Sequence, residues 1–331
     1  MLIKATISAL AILFLVTCTG QVDDNPHLTI YVSADEQVAR EVFAAFTKKT
    51  QIKVLWVGDT EASKTTALVN RLRLEKDLPV ADVFWSSEIL GMIQLANENI
   101  LASHRSLVAD SWPLQHRDAS NRWFGFSPRA RVIAYDPARV QESSLPEYWW
   151  SYGEAAMADP RFGTTGTHLA VMASFDDRFS VFVDSLQGER FLGGNAATLQ
   201  AVIDGTVTLA MTDTDDVHAA IARGASVAMH FPRHHDGAGG GTLLIPNTVG
   251  MIQGCDHPGS AAAFVDFMLS DEVAILLARS TSHNIPLQPS VVSQFPELQV
   301  HDPLEADFYK AATDHTEIIP IVMDRLSRAE N

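Results

Sequence analysis

The fold class is decided by Leu28-Thr-Ile-Tyr-Val-Ser-Ala-Asp-Glu36, together with the residues that follow it. Residues 28–32 are an apolar run with the length of a short β-strand. Ser33 and Glu36 match a capping box, in which the serine hydroxyl and the glutamate carboxylate satisfy free amides at a helix start. The apolar residues that come next fall on one helical face, namely Val38, Val42, Phe43 and Phe46. This stretch therefore predicts a strand that leads directly into an amphipathic helix.

The same strand–helix unit is repeated further along the chain. Residues 52–57 and 81–85 are two more apolar strands, and a helical pattern follows each of them. Strands that alternate with helices predict a mainly parallel sheet covered on both faces. In such sheets ligands bind beyond the carboxyl ends of the strands, which are residues 33–36, 58–60 and 86–88 in this sequence.

The second half of the chain begins with an unusually long strand. Residues 126–135 are long enough to cross from one lobe to another, and residues 243–252 form the return strand. The 331 residues suffice for two lobes that each bury a core. We predict lobe one over 28–130, lobe two over 131–246, a return to lobe one over 247–290, and a C-terminal helical segment, 291–331, that packs across the lobes. The last helix is expected at 316–328.

The first residues have the composition of a secretory signal. Residues 1–4 provide a short cationic start, and residues 5–16 are almost uninterrupted apolar sequence, too short for a permanent membrane span. We predict a signal peptide over 1–17 and a polar tether over 18–27, so the protein is exported to the periplasm. Leu15-Val-Thr-Cys18 resembles a lipoprotein processing box. Lipid anchoring through Cys18 and simple cleavage near Gly20 are the two alternatives.

Charge, cysteine content and missing motifs exclude several classes of protein. The formal net charge of −16 repels DNA and anionic membranes, and no basic run appears, so a nucleic-acid partner is not expected. Since Cys18 lies in the predicted tether and Cys255 is the only other cysteine, we expect no structural disulfide. The motifs of serine hydrolases, zinc proteases and phosphate loops are absent, which argues against an enzyme and against a catalytic cofactor.

The most informative string is Thr212-Asp-Thr-Asp-Asp216, which follows a predicted strand at 207–211. A position between a strand and a helix puts Asp213, Asp215 and Asp216 at the sheet edge. Hard cations prefer such carboxylate oxygens as ligands. Negative groups also gain from the dipole of a helix start, so a helix cap is the alternative role. We expect one aspartate to cap the helix and at least one other to face ligand.

Further candidates stand at the ends of the other strands. Asp35 and Glu88 are acidic, and neither is needed for the predicted cap of the first helix, in contrast to Glu36. The alternative interpretation is that both are solvated surface carboxylates. The hydroxyls of Ser33 and Ser87 stand at the same strand ends and are counted with the candidate ligand-binding residues.

Basic and Gly-rich segments offer sites for an anion or a metal. Arg129 and Arg131 alternate in one strand and so lie on the same face, where either one bridges to a carboxylate or binds an anion. Gly163-Thr-Thr-Gly-Thr-His168 predicts a helix start that holds an anion or a polar ligand, with an ordinary capped turn as the alternative. His234 and His235 lie on a Gly-rich loop, where exposed histidines are more common than metal ligands.

Several segments, taken in order, resemble the ferric-ion-binding receptors of ABC importers. The segments are 30–35, 51–54, 81–85, 129–135, 245–252 and 257–270. The resemblance covers about residues 28–290 and implies an α/β protein with the two-lobe type II periplasmic binding-protein fold, in which mixed, mainly parallel sheets meet at a hinge. It also implies capture of a small ligand and delivery to an inner-membrane permease powered by an ATPase. We expect a monomer.

The resemblance also implies which residues hold the cargo. The first-loop ligand of the family falls on Asp35, and its glutamate falls on Ser87 or, with a shift of one residue, on Glu88. The tyrosine pair of the family falls on Asp215 and Asp216, so the phenolate ligands are absent here. The implied cation ligands are therefore Asp35, Glu88, Asp215 and Asp216, with weaker selectivity for ferric iron.

An anion often binds together with the cation in this family. Its binding turn falls on Thr165-Gly166-Thr167, with Arg129 nearby. The resemblance therefore implies a synergistic anion at this turn. The complete set of candidate ligand-binding residues is Ser33, Asp35, Ser87, Glu88, Arg129, Thr165, Gly166, Thr167, Asp213, Asp215 and Asp216.

We consider three functions. The leading hypothesis is a transport receptor for ferric iron or a similar hard cation. The second keeps the receptor but changes the cargo to a small organic solute or anion, such as a phosphonate or a polyamine. The third is an exported metalloenzyme that depends on His and Asp residues, for which the sequence shows no recognisable catalytic spacing.

Overall fold

The computed structural model describes residues 26–59, 65–110, 112–175, 177–186 and 191–329. The predicted signal peptide, most of the tether and Cys18 lie outside the described residues. Within the described ranges, none of the helices combines the length and the apolar character that a membrane crossing requires.

Strands and helices alternate along the chain. The strands are β1 (His27–Ser33), β2 (Lys53–Gly58), β3 (Val83–Ser86), β4 (Leu101–Ala102), β5 (Phe124–Tyr135), β6 (Met157–Ala158), β7 (Phe191–Leu192), β8 (Leu209–Asp213), β9 (Ala228–His230) and β10 (Leu244–Ile252). The helices are α1 (Glu36–Thr50), α2 (Thr66–Leu74), α3 (Leu90–Asn97), α4 (Gly163–Met172), α5 (Asp177–Ser185), α6 (Asn195–Ile203), α7 (Thr214–Ala222), α8 (Pro258–Met268), α9 (Asp271–Arg279), α10 (Pro289–Val292) and α11 (Phe308–Ala329).

One mixed sheet runs through both halves of the molecule, in the strand order β2-β1-β3-β10-β5-β8. Strand β1 is parallel to β2 and to β3. Strand β10 is antiparallel to β3, β4 and β5, and β5 is antiparallel to β8 and β9. The sheet is mixed, as predicted. Among the described strands, however, parallel pairing is confined to β2-β1-β3 and to the small β6-β7 sheet, because the long strands that join the halves run in opposite directions.

Two long strands, β5 and β10, join the two halves. Strand β5 pairs with β10 through residues 124–130 and with β8 through residues 131–135, so the predicted crossing strand is confirmed. Both strands are irregular at the crossing: Ser127 has a left-handed φ of 38°, and the register of β10 shifts between Ile245 and Asn247. The Asn247 side chain donates to the Ser127 carbonyl at 2.7 Å and joins the two irregular points.

We call lobe one the half built on β1–β4 and β10 with α1–α3, α8 and α9, and lobe two the half built on β8, β9 and α4–α7. Phe46, Trp85 and Phe264 pack in the core of lobe one, and Phe182 and Met211 pack in that of lobe two. The predicted lobe boundaries after residues 130 and 246 fall within β5 and β10. Helix α11 begins well before the predicted residue 316, and it packs against α4 in lobe two and α3 in lobe one.

Candidate functional site

A cleft between the two lobes collects polar side chains from both of them. Its volume is about 200 Å³. Lobe one contributes Asp35 and Ser87, which follow β1 and β3 at the carboxyl ends of these parallel strands. Lobe two contributes the first turn of α7 and the start of α4. The cleft therefore lies where an α/β sheet is expected to bind its ligand.

Three aspartates meet on the lobe-two wall of the cleft. Asp213 is the last residue of β8, and Asp215 and Asp216 lie in the first turn of α7. Each offers a carboxylate oxygen, and these oxygens lie within 4.8 Å of one another. Strand β8 lies two residues later than the predicted 207–211, which puts Asp213 directly at the strand end. The described part of the chain contains no other group of three His, Cys, Asp or Glu residues arranged in this way.

Asp213 is held by a dense set of hydrogen-bond donors. Its carboxylate accepts from Arg131 Nη1 at 2.8 Å, from Thr164 Oγ1 at 2.6 Å and from Asn195 Nδ2 at 2.9 Å. Burial by itself would raise the pKa of this carboxyl, but Arg131 and Arg129 hold the pKa below its ordinary value. Asp213 therefore stays ionised and anchors the wall of the cleft.

Asp215 and Asp216 are half-buried and line the cleft. Arg129 Nε lies 3.4 Å from Asp215 Oδ2, and Thr212 Oγ1 donates to Asp216 Oδ2 at 2.9 Å. The predicted helix cap is not made by Asp213, which precedes α7 without a side-chain cap bond. Instead, Asp215 Oδ1 accepts the Asp216 amide at 3.1 Å. The positive end of the α7 dipole attracts both of these negatively charged groups.

Arg129 and Arg131 are buried and both contact Asp213, so the prediction that they share one face of their strand is confirmed. Arg129 Nη2 donates to the carbonyl of Ser87, which follows β3. Burial would lower the pKa of Arg129, but the neighbouring aspartates, Asp215 first, raise it. Arg131 Nε and Nη2 have no hydrogen-bond partner among the described residues. The two guanidinium groups neutralise part of the acidic charge at the cleft.

The start of α1 differs from the predicted capping box. Asp35 is the N-cap, and its Oδ1 accepts two backbone amides at 2.9 and 3.2 Å. Glu36 forms an exposed ion pair with Arg40 instead. Ser33 is fully buried because it is still part of β1, and its hydroxyl bonds to Thr65 Oγ1 at 2.9 Å. Of these two predicted ligand-binding residues, Asp35 lines the cleft and Ser33 does not.

Glu88, which the sequence predicts as a cation ligand, lies behind the cleft wall and is not among the residues that line it. Its carboxylate accepts the free amides at the start of α3, from Leu90 at 2.6 Å and from Gly91 at 3.0 Å. Thr167 Oγ1 lies 3.3 Å from the same carboxylate, and Glu88 is only 4% exposed. Burial raises the pKa of this carboxyl. Ser87, the alternative position for this ligand, lines the cleft.

The Gly/Thr segment forms the first turns of α4, which begins at Gly163 with a left-handed φ of 57°. Thr164 and Thr165 line the cleft, and Thr165 Oγ1 has no hydrogen-bond partner among the described residues. Gly166 and Thr167 are buried behind them, because successive residues of a helix point to different sides. These two predicted ligand-binding residues are therefore not among those that line the cleft.

His234 is fully buried, in contrast to the exposure expected for its Gly-rich loop. Its Nε2 lies 2.9 Å from Nε2 of His168 in α4, and its Nδ1 lies 2.8 Å from the Gly241 carbonyl oxygen. Neither imidazole lines the cleft. The pair therefore holds the loop against α4 and stands outside the candidate metal site.

Several further polar residues line the cleft, although the sequence pattern does not single them out. They are Asp159, Asn195, Gln200, Arg223, Asn247, Ser282 and Asn284. Asn195 opens α6 directly after two glycines, which is a helix-start signal of the kind that singled out α4. Asn247 lies in the apolar return strand, and Ser282 and Asn284 follow α9, so none of these three carries a local pattern of its own.

Comparison with known proteins gives one family and one fold. Residues 32–275 match the family model described as bacterial extracellular solute-binding protein. The major ferric iron-binding protein of Neisseria meningitidis is 26% identical and covers 86% of this chain and 88% of its own length. Iron uptake protein A1 of Synechocystis sp. is 24% identical, with 84% and 85% covered. The structure of iron-bound HitA from Pseudomonas aeruginosa has a TM-score of 0.77 at 22% identity, over 90% of this chain and 99% of that one. The predicted two-lobe fold is thereby confirmed.

Proposed function

The chain belongs to the bacterial extracellular solute-binding protein family, and from this premise we propose that it captures ferric iron or a similar hard cation between its lobes. It then delivers the cation to a membrane permease that an ATPase powers. The observation that carries the proposal is the convergence of Asp213, Asp215 and Asp216 on one wall of the cleft. The role of such a cleft is capture and release rather than turnover.

The chemistry of the cleft wall fits a hard cation. Ionised carboxylates supply both the oxygen ligands and the negative charge that such cations prefer. Asp215 and Asp216 keep part of their surface in the cleft, and we assign them as the direct ligands. Asp213 is fully engaged by lobe-two donors and supports them. Asp35 and Ser87 stand on the lobe-one side and complete the set.

The names of the relatives favour iron as the cargo over other hard cations. Two relatives that match most of this chain are named for ferric iron or iron uptake. The described residues that line the cleft include no tyrosine, so the site differs from one built on phenolates. Carboxylates alone discriminate less strongly for ferric iron, and for this reason the proposal extends to similar hard cations.

An anion is proposed as co-ligand beside the cation. The Thr165 hydroxyl, which has no hydrogen-bond partner in the described part of the chain, lies at the start of α4, where free helix amides favour negative charge. The guanidinium of Arg129 lies next to Asp215 at the same cleft. Citrate or phosphate would balance the charge of a trivalent cation and fill the ligand positions that the aspartates leave open.

Export and the membrane partner are part of the same proposal. The sequence of residues 1–17 predicts a signal peptide, and membership of an extracellular solute-binding family supports it. The receiving permease and its ATPase would lie in the inner membrane. Attachment through a lipid on Cys18 and a monomeric state are proposed on the sequence alone.

Thermal unfolding of the mature protein with and without Fe(III) tests the proposal. A ligand that binds only the folded state stabilises it by about 2.7 kcal/mol at roughly a hundredfold excess over its Kd. We expect Fe(III) with citrate or phosphate to raise the melting temperature, and Asp215→Asn with Asp216→Asn to abolish the rise. The matched control is Asp271→Asn with Glu272→Gln, which removes the same charge from the first turn of α9 and should keep the rise.

A rise that persists without the Asp215 and Asp216 carboxylates would mean that the cation binds elsewhere, and it would contradict the proposal. A second candidate cargo is an organic anion such as a phosphonate, which the guanidinium of Arg129 on the wall of the cleft favours. The same measurement separates the two candidates, because a phosphonate would stabilise the protein in the absence of iron.

A further inference from the structure

The turn formed by Ser87 and Glu88 makes one hydrogen bond to lobe two and one to the crossing strand β5. Thr167 Oγ1, in α4 of lobe two, lies 3.3 Å from Glu88 Oε2. Arg129 Nη2, in the crossing strand β5, donates to the Ser87 carbonyl. Glu88 is 4% exposed and Thr167 is 1% exposed, so water does not compete for their bond. The turn is therefore a point where the two lobes are directly bonded.

Glu88 is fixed firmly to lobe one. Its carboxylate accepts the amides of Leu90 and Gly91 at the start of α3, and its carbonyl accepts the Thr248 hydroxyl from β10 at 2.8 Å. A Cβ on Gly91 would meet Glu88 Oε1 at 2.7 Å, so the carboxylate is closely packed against the helix backbone. Glu88 thus presents an oxygen to lobe two at a fixed position.

Thr167 is fixed to lobe two in the same way. It lies in α4, whose residues from Thr164 to Met172 are all buried. Thr164, one turn earlier on this helix, donates to the Asp213 carboxylate at 2.6 Å. Helix α4 therefore connects the Glu88 contact rigidly to the aspartate group on the wall of the cleft.

We infer that Glu88 and Thr167 form a latch that holds the two lobes together over the cargo, with Glu88 as a positioning residue. A hydrogen bond between residues of different lobes exists only while the lobes are together, so it stabilises the closed form alone. Apparent affinity for a cargo that needs the closed form rises with the closed fraction. The inference rests on the proposed capture of a solute in the cleft, and it is independent of which solute is captured.

The Thr167→Val substitution tests the latch, because it removes the hydroxyl and keeps the shape of the side chain. The matched control is Thr198→Val in α6. Thr198 is a fully buried threonine of the same lobe, and its hydroxyl donates to the Gly194 carbonyl at the start of its own helix. Release of Fe(III) into excess chelator should be about tenfold faster in Thr167→Val, as expected for one buried hydrogen bond. It should stay at the wild-type rate in Thr198→Val and in Thr167→Ser, which restores a hydroxyl. The electron paramagnetic resonance signal of bound Fe(III) should not change, since no ligand is removed.

Small-angle X-ray scattering of the cargo-free protein provides a measurement that needs no iron. Loss of the latch should increase the radius of gyration of Thr167→Val and leave that of Thr198→Val unchanged. Equal behaviour of these two variants in both measurements would overturn the latch. A wild-type protein that fails to bind Fe(III) would instead overturn the proposed cargo. The latch would then be tested by the radii of gyration of the two cargo-free variants alone.

Discussion

Burial sets the protonation state of individual side chains, and the buried histidine pair shows this most clearly. The Gly241 carbonyl accepts from His234 Nδ1, which therefore carries the hydrogen. His234 Nε2 is then the acceptor for the Nε2–H of His168. Burial lowers the pKa of His234 to about 4, and burial together with His234 and Arg131 lowers the pKa of His168. Both imidazoles are therefore neutral in the folded protein at neutral pH.

We predict that the free energy of unfolding decreases as the pH falls below 6.5, the ordinary pKa of His234. Between that pH and about 4 the unfolded chain binds a proton that the folded protein does not, so stability is lost on acidification. The lowered pKa of His234 corresponds to about 3 kcal/mol. Urea unfolding at a series of pH values measures the slope. His234→Gln should flatten the slope, and His301→Gln, which replaces an exposed histidine, should preserve it. A wild-type slope in His234→Gln would refute this account.

The acidic residues of the cleft were predictable from the sequence, but their separate roles were not. Asp213, Asp215 and Asp216 stand where a strand meets a helix, and that is a local pattern. Glu88 stands at a strand end as well, yet its carboxylate is turned to the α3 amides and to Thr167, which lies 79 residues further along the chain. Contacts at such separations depend on how helices pack, and no local pattern encodes them.

Helix α4 approaches its neighbours so closely that one position accepts only glycine. A Cβ on Gly166 would lie 2.6 Å from the Pro160 carbonyl oxygen and 3.0 Å from His315 Nε2. We predict that Gly166→Ala lowers the free energy of unfolding by about 2 kcal/mol, since the backbone must shift to admit the methyl group. The control is Gly259→Ala in α8, where no atom lies within 4 Å and alanine should add roughly 0.5 to 1 kcal/mol. Urea unfolding compares the two variants, and a stabilised Gly166→Ala protein would argue against the tight contact.

The types of the helices and strands follow from apolar periodicity, whereas their ends depend on neighbouring elements. The sequence predicts Ser33 as the N-cap of α1, but Ser33 pairs with Ser86 in the register of β1 and β3, and Asp35 is the N-cap instead. Helix α11 starts at Phe308 because its first turns pack against α3 and α4, which the sequence pattern alone does not reveal. Element ends are therefore set by sheet register and packing.

At the scale of the whole molecule, the lobes share apolar packing as well as strands. The long crossing strand was visible in the sequence because of its length. The apolar cluster beside this strand could not be predicted from the sequence, because its members come from distant segments. One buried group contains Ile93 of lobe one, Ala170 and Val171 of α4, and Ala311 and Ala312 of α11. When the lobes move relative to each other, part of this continuous core must therefore repack or move together with one lobe.

Because the lobes share this core, movement of the lobes should change the heat capacity of the protein. If opening separates α11 from α3, it exposes the apolar surface around Ala311 and Ala312, and exposed apolar surface increases heat capacity. We predict that titration calorimetry with Fe(III) and citrate over a range of temperatures shows a clearly negative heat-capacity change, which a small polar cargo cannot produce by itself. A heat-capacity change near zero would mean that the core stays intact during capture. The stabilisation that apolar burial provides weakens on cooling. We therefore expect the receptor to bind its cargo less tightly at low temperature.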